Sequence, residues 1–411
     1  MYTILFWIII VILVFDFALE KGLDYLNRKN VSLKLPDEVK DIYNADEYKR
    51  QQEYFLTNQR FGAISGTFSF IVMMLMFFLF GFAFVDNIAR GMVENSIFVA
   101  LIFFGILYFA NEILSMPFEI YHTFVIEQRF GFNKMTPGLF ATDTLKGWAM
   151  SVLLGGGLIA LLMVIYECVG DYFWLLGWGV MAFISIFMMM FYSNLIVPLF
   201  NKQTPLEAGE LRDAIEAFCQ KAGFKLDNLY VIDGSKRTTK ANAYFSGLGA
   251  KKRIVLYDTL ISSLTTEEIV AVLAHEIGHY KKKHTRTMLV LSLINTGVLF
   301  YILSLVLGKL GLAFAEALGS ENASFQLSII VFGVLYTPIS TLLGIGINML
   351  SRKNEYQADN FAKSFGLAQP LGDALKKLSV TSLSNLNPHP AYVFFHYSHP
   401  TLLQRLKNLE K

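Results

Sequence analysis

A predominantly α-helical membrane protein is predicted by three observations. The 411 residues are 54% hydrophobic, with a mean hydropathy of +0.46. Only 17% are charged, against about 25% in an ordinary soluble chain. Apolar stretches near the length of about 20 residues that a helix needs to cross a bilayer recur along the chain. They fall at 2–19, 62–85, 96–115, 147–167, 172–197, 286–308 and 326–349, which predicts seven spans.

The first stretch lacks the basic start and small-residue cleavage site of a signal peptide, so it reads as a retained span. The third holds Asn111 and Glu112 near its end, and the fourth carries Gly155-Gly156-Gly157. A glycine run is tolerated in a bilayer where neighbouring helices or water satisfy the backbone. The connecting segments alternate in basic content. Region 20–61 is rich in Lys and Arg, and region 116–146 adds Arg129, Lys134 and Lys146. The loops 86–95, 168–171 and 309–325 offer only Arg90 and Lys309. The positive-inside rule then puts the N-terminus outside, and 198–285 and the C-terminal tail in the cytosol.

Four parts follow. Residues 1–197 hold spans one to five with their cytosolic loops, and 286–349 hold spans six and seven. The hydrophilic parts 198–285 and 350–411 flank the last two spans and are expected to pack into one cytosolic unit. A net charge of +2, with no basic stripe interleaved with aromatics, argues against nucleic acid as a partner. The two cysteines, Cys168 and Cys219, form neither a disulfide framework nor a thiolate metal site. Any metal must therefore be held by histidine and carboxylate.

The chemistry concentrates in His275-Glu276-Ile277-Gly278-His279. At 3.6 residues per turn, His275 and His279 share a helix face and can hold one Zn²⁺ through two imidazole nitrogens. Glu276, about 100° further round, can reach a water at the open position as general base. The surrounding order reads helix (206–222), strands at 229–232, 242–245 and 254–257, then a helix opened by a Thr265/Glu268 capping box. Lys281, Lys282 and Lys283 suit that helix's C-terminal dipole. A catalytic zinc wants a third protein ligand. Segment 350–366 reads as a separate helix in which Glu355 and Asp359 share a face. Glu355 is assigned as that ligand, and Asp359 as the carboxylate that accepts the distal N–H of a ligand histidine. His284, five residues beyond His279, points off the shared face, and His122 is structural or interfacial.

These motifs, with Asn242-Ala243-Tyr244-Phe245, Ser398-His399-Pro400, Phe124–Asn133 and Val231–Arg237, occur in the order seen in the M48 peptidases. With seven spans the chain resembles the type I CAAX prenyl protease branch, from about Asp37 to Leu409. The resemblance implies a seven-helix membrane protein bearing a cytosolic zincin-like α+β metalloprotease unit, with one zinc per chain and a large chamber between the helices. It implies that Asn242–Phe245 is an edge strand pairing with an extended substrate. It also implies that His399 donates to the developing oxyanion, and that Arg405 supports the site or holds a substrate carboxylate. Peptide or protein substrates, prenylated ones among them, and the lipid bilayer are the implied partners. Lys240-Ala241 stands where eukaryotic members commonly carry His-Ser. With the short 309–325 loop and the early stop after Arg405, this points to a bacterial inner membrane, or to the endoplasmic reticulum if the chain is eukaryotic. A quality-control protease for stalled membrane polypeptides is the alternative, ahead of a transporter or scaffold with a structural metal. A closed structural site usually has four protein ligands and no adjacent glutamate.

Overall fold

The computed structural model describes residues 3–31, 40, 44–226, 228–246 and 253–411; Asp37, where the family resemblance begins, lies outside them. The chain begins with α1 (Ile4–Lys29), α2 (Ala45–Phe78), α3 (Gly81–Met92) and α4 (Ser96–Tyr121). It continues through α5 (Pro137–Met150), α6 (Gly157–Val169), α7 (Phe173–Leu195) and α8 (Val197–Phe200). Strand β1 (Gln203–Pro205), α9 (Glu210–Lys221), β2 (Leu229–Ile232), β3 (Ala243–Ser246) and β4 (Arg253–Tyr257) follow. Then come α10 (Asp258–Ser263), α11 (Thr266–Lys281), α12 (His284–Ala317), α13 (Phe325–Ser364), α14 (Ala368–Thr381), α15 (Pro390–His396) and α16 (Leu402–Glu410).

Among the described residues, five continuous helices are long and apolar enough to cross a membrane: Ala45–Phe78, Ser96–Glu127, Pro137–Phe200, His284–Ala317 and Phe325–Ser364. The third runs for 64 residues, far more than the ~20 that a bilayer needs. Gly170 interrupts it with φ of +53°, where α6 and α7 meet and pack on each other. Helix α1, with Asp16, Glu20 and Lys21, is not among the five.

Two apolar cores result. One is built from α1 and the long apolar helices around Phe6, Phe77, Phe103, Phe173, Phe314 and Val331. The other lies under the sheet and α11 and contains Ile215, Leu256, Leu260, Ile269, Leu273 and Ala362. The sheet has strand order β1-β2-β4-β3. Strands β2 and β4 are parallel, and β3 runs antiparallel to β4 at the sheet's edge, with Tyr244 opposite Val255.

Several boundaries differ from the sequence reading. The expected 206–222 helix starts only at Glu210, and strand β1 was not foreseen. The expected 350–366 helix is not separate: α13 is one 40-residue helix that leaves the membrane core and carries Glu355 and Asp359 onward. Nothing in 340–360 breaks the helical backbone, because no proline or glycine follows Gly346 until Gly366. Likewise α12 extends to Ala317, so the 309–325 connection is half helix.

Candidate metal centre and active site

Helix α11 begins with the anticipated capping box. Thr265 Oγ1 accepts from the Glu268 amide at 3.3 Å, and Glu268 Oε2 accepts from the Thr265 amide at 2.8 Å. Lys377 of α14 donates to the same carboxylate, 2.6 Å from Oε1. Burial raises the carboxyl's pKa, but hydrogen bonds from Lys377 and Thr265 outweigh it, so Glu268 titrates below the ordinary carboxylate range. This fixes the start of the helix two and a half turns before His275.

At the other end, α11 crosses α13. Gly278 sits at the crossing: a Cβ there would lie 3.1 Å from the Ala358 Cα and 3.2 Å from its carbonyl oxygen. Such spacing lets the two backbones approach closely enough for side chains of one turn to meet those of the other. His275 Nε2 and His279 Nε2 lie 3.2 Å apart. Glu355 Oε1 is 3.1 Å from His279 Nε2, and Oε2 is 3.4 Å from His275 Nε2. Ligands held at about 2.0–2.1 Å around a tetrahedral ion are separated by about 3.4 Å, so this donor set fits a small divalent metal. Glu355 Oε2 is also buried without a hydrogen bond, though His275 and the Arg405 guanidinium are near it. A carboxylate oxygen in that position is costly unless a cation takes it up. Among the described residues these three side chains are the group able to hold a metal. Cys219 is buried in the second core, where burial pushes its thiol up to about 11.

Behind the donors, Asp359 is fully buried and its Oδ1 is 2.8 Å from His275 Nδ1. A carboxylate only accepts, so Nδ1 carries the hydrogen and Nε2 presents its lone pair to the centre. Burial disfavours a charged His275, yet Asp359 and Glu355 together hold its pKa above the ordinary imidazole range. Arg405 of α16 grips Asp359 with two hydrogen bonds, of 3.0 and 2.6 Å, and Nη1 lies 3.5 Å from Glu355. Of the two roles expected of Arg405, the contacts are those of support from below rather than of a free cation awaiting a substrate carboxylate.

A cavity of about 430 Å³ opens above the donors. Glu276, half-buried, lines it together with His399, Asn242, Ala243 and Phe245. His399 is exposed, with Nε2 3.4 Å from Glu355 Oε1 and Nδ1 2.9 Å from Ser398 Oγ. Strand alternation turns Tyr244 to the opposite face. There its hydroxyl meets Ser193 at 3.1 Å and accepts from Gln203 at 3.2 Å. The side chain of Tyr244 thus faces away from the cleft, while its backbone lies on the edge strand that the sequence reading expects to pair with substrate.

The position of His284 also differs from expectation. It is buried, with Nδ1 3.1 Å from His279 Nδ1 and Nε2 2.9 Å from Gln357 Oε1. The five-residue offset misleads because α11 ends at Lys281, and Lys283 turns the chain with a left-handed φ of +62°. Lysine at such a φ was not legible, since no glycine marks the turn.

The segment 124–133 now has a physical part as well. Glu127 accepts from Lys240 at 2.7 Å and from the Tyr54 hydroxyl at 2.6 Å. Arg50 donates to the Phe130 carbonyl, and the Thr239 amide to that of Phe132. With Arg237 paired to Asp143 at 2.8 Å, these contacts tie the loop leading into β3 to the membrane helices.

Fold and site together define a membrane-integral metallopeptidase acting on peptide or protein substrates. The chain belongs to peptidase family M48: the family's own profile matches residues 205–411, and that of the "CAAX prenyl protease N-terminal, five membrane helices" matches 24–202. It is similar to CAAX prenyl protease 1 of Saccharomyces cerevisiae, 33% identical over 96% of this chain and 93% of the yeast protein. The Oryza sativa homologue is 42% identical over 77% and 74% of the two chains. The crystal structure of S. mikatae Ste24p superposes with a TM-score of 0.93 at 32% identity, covering all of both chains.

Proposed function

We propose that the protein is a zinc endopeptidase that cleaves near the C-terminus of prenylated CAAX proteins. The observation that carries this reading is the convergence of His275, His279 and Glu355 on one point beside Glu276 and an edge strand. Zinc is favoured because two imidazoles and one carboxylate, with a place left for water, are its usual catalytic donor set. Bound there, the ion would polarise the attacking water and the scissile carbonyl. The extended substrate pairs with the exposed side of β3, as peptides commonly add to a free sheet edge. Glu276 takes a proton from the attacking water and returns one to the leaving amine. His399, whose Nδ1 faces Ser398, donates from Nε2 to the carbonyl oxygen as it gains charge. Asp359 and Arg405 hold His275 in the required tautomer.

In the same reading α1 is the first of seven spans, and the 64-residue run folds back at Gly170 into two. Parts 198–285 and 350–411 form the catalytic unit, which faces the cytosol with the N-terminus outside. The short link between α12 and α13 favours a bacterial cell membrane; the named relatives, which are eukaryotic, support the endoplasmic reticulum instead. A prenylated substrate is the extension drawn from the names of those relatives.

The test is cleavage of a farnesylated CAAX peptide by purified protein, beside Glu276→Ala and a zinc-chelated sample. Activity lost in both controls, at least 10²-fold for the general base, is the expected result. If wild-type protein with zinc bound cuts an unfolded membrane polypeptide but not the farnesyl peptide, the substrate assignment fails and clearance of stalled chains takes its place.

A further inference from the structure

The two metal-facing imidazoles are backed by different partners. Behind His275 stands a carboxylate gripped by an arginine; behind His279 stand a second imidazole, His284, and then the amide of Gln357. We infer that His284 and Gln357 form a neutral hydrogen-bond relay that fixes the tautomer of His279. The inference rests on the proposed ligand set and extends it to residues outside that set.

The argument runs from the outer end inward. Gln357 Oε1 can only accept, so the hydrogen in the 2.9 Å contact belongs to His284 Nε2. A neutral His284 then offers a lone pair at Nδ1. In the 3.1 Å contact between the two Nδ1 atoms, the hydrogen must therefore sit on His279. That leaves His279 Nε2 as a lone pair, directed at His275 Nε2 and Glu355 Oε1, where the metal would be held. The reverse tautomer would place an N–H in the centre and remove a ligand. The backbone bears a cost for this arrangement: Lys283 is left-handed, and that turn swings His284 back beneath α11 instead of on along it. Gln357, two residues beyond Glu355 on α13, lies within reach of His284 while Glu355 faces the centre, so one helix supplies both a donor and the far end of the relay.

Acting through His279, His284 and Gln357 are positioning residues. The experiment is metal affinity measured by competition with a chelator, on purified protein loaded with Zn²⁺, together with thermal unfolding of the metal-free form. His284→Ala is expected to weaken zinc binding by about 10–100-fold, and Gln357→Leu by about 10-fold. His284→Asn keeps an acceptor near the Nδ1 position and should restore affinity to within about 3-fold of wild type, a rescue expected when only the acceptor matters. In that background Gln357→Leu should do nothing further, because an amide needs no tautomer set. The metal-free unfolding temperature of Gln357→Leu should fall by no more than the loss of one hydrogen bond to buried His284 accounts for. Unchanged affinity in Gln357→Leu overturns the relay, as does His284→Asn binding as weakly as His284→Ala. If His284→Ala does not fold, Gln357→Leu decides alone. The ligand reading is judged separately: His279→Ala and Glu355→Ala must lose high-affinity zinc, and retention in either sinks that reading rather than the relay.

Discussion

The side chains closest to the chemistry divide into those that a local pattern announces and those that only the folded chain assembles. His275, Glu276 and His279 lie within five consecutive positions, and helical periodicity alone brings the histidines together. Glu355 and Asp359 were assignable because the same periodicity gives them a shared face, and the structure sets them at 3.1–3.4 Å and 2.8 Å from the histidines. His284 was set aside on its spacing, and its place beneath His279 was not foreseen because it depends on where a helix stops, which sequence marks only loosely. Arg405 shows how much such an assembly holds in tension. Its side chain is 11% exposed, while that of Asp359 is 0% exposed. Arg405→Ala leaves a buried carboxylate short of its partner and should cost about 3–5 kcal/mol, seen as a lower unfolding temperature of the metal-free protein. A loss under 1 kcal/mol would mean that Asp359 is neutral or hydrated in the folded state.

Among the elements, α11 and the sheet were the most legible. Thr265 and Glu268 mark a helix start by chemistry that needs no tertiary partner, and the strands at 229–232 and 254–257 read directly from β-branched and apolar residues. Strand β1 was not, being three residues with a proline, paired to a distant β2 and tied by the Gln203 side chain to Ser193, Tyr244 and Arg253. The Glu268 pKa is lowered in the folded state, so its contribution to stability is full above the unfolded value near 4.3 and is lost as pH falls through the folded one. Lys377→Met removes much of that lowering. The variant should lose less stability than wild type on going from pH 5 to pH 3, in parallel urea titrations; equal losses would dismiss the Glu268–Lys377 pair as an acid-sensitive point. Gly278 poses an opposite question to intrinsic helix preference. Alanine there is favoured by about 1 kcal/mol in an isolated helix, yet its Cβ would press on the Ala358 backbone. Gly278→Ala should therefore lower both stability and metal affinity, and a stabilised variant with full affinity would show that α13 gives way freely.

For the molecule as a whole, hydropathy found apolar runs inside each of the five membrane-capable helices among the described residues, whereas the division of labour between membrane and catalytic parts needed the structure. No stretch of sequence says that Lys240 reaches Glu127 and Tyr54, residues more than 110 positions away. Lys240→Ala should destabilise the protein by about 1.5–3 kcal/mol, the range for hydrogen bonds to charged groups, and should reduce turnover by disturbing the approach to β3. The exposed Lys236 provides the comparison; if Lys236→Ala does equal damage, the bond to Glu127 is not what joins the two parts. The 64-residue helical run is continuous where the sequence reading has two spans joined by 168–171, and Gly170 breaks it within that expected loop.

One feature of this arrangement couples the site to its surroundings. Helix α13 is unbroken from Phe325, in the membrane core, to Ser364. From Phe325 to Glu355 it extends about 45 Å at about 1.5 Å per residue. Leaning such a rod by about 3° about its buried end would carry the Glu355 carboxylate about 2 Å sideways, comparable to a whole coordination bond. Helices tilt to match the lipid around them. The third donor of the metal centre is therefore carried at the far end of a rod whose other end lies among the membrane helices, so its place follows the tilt of that rod.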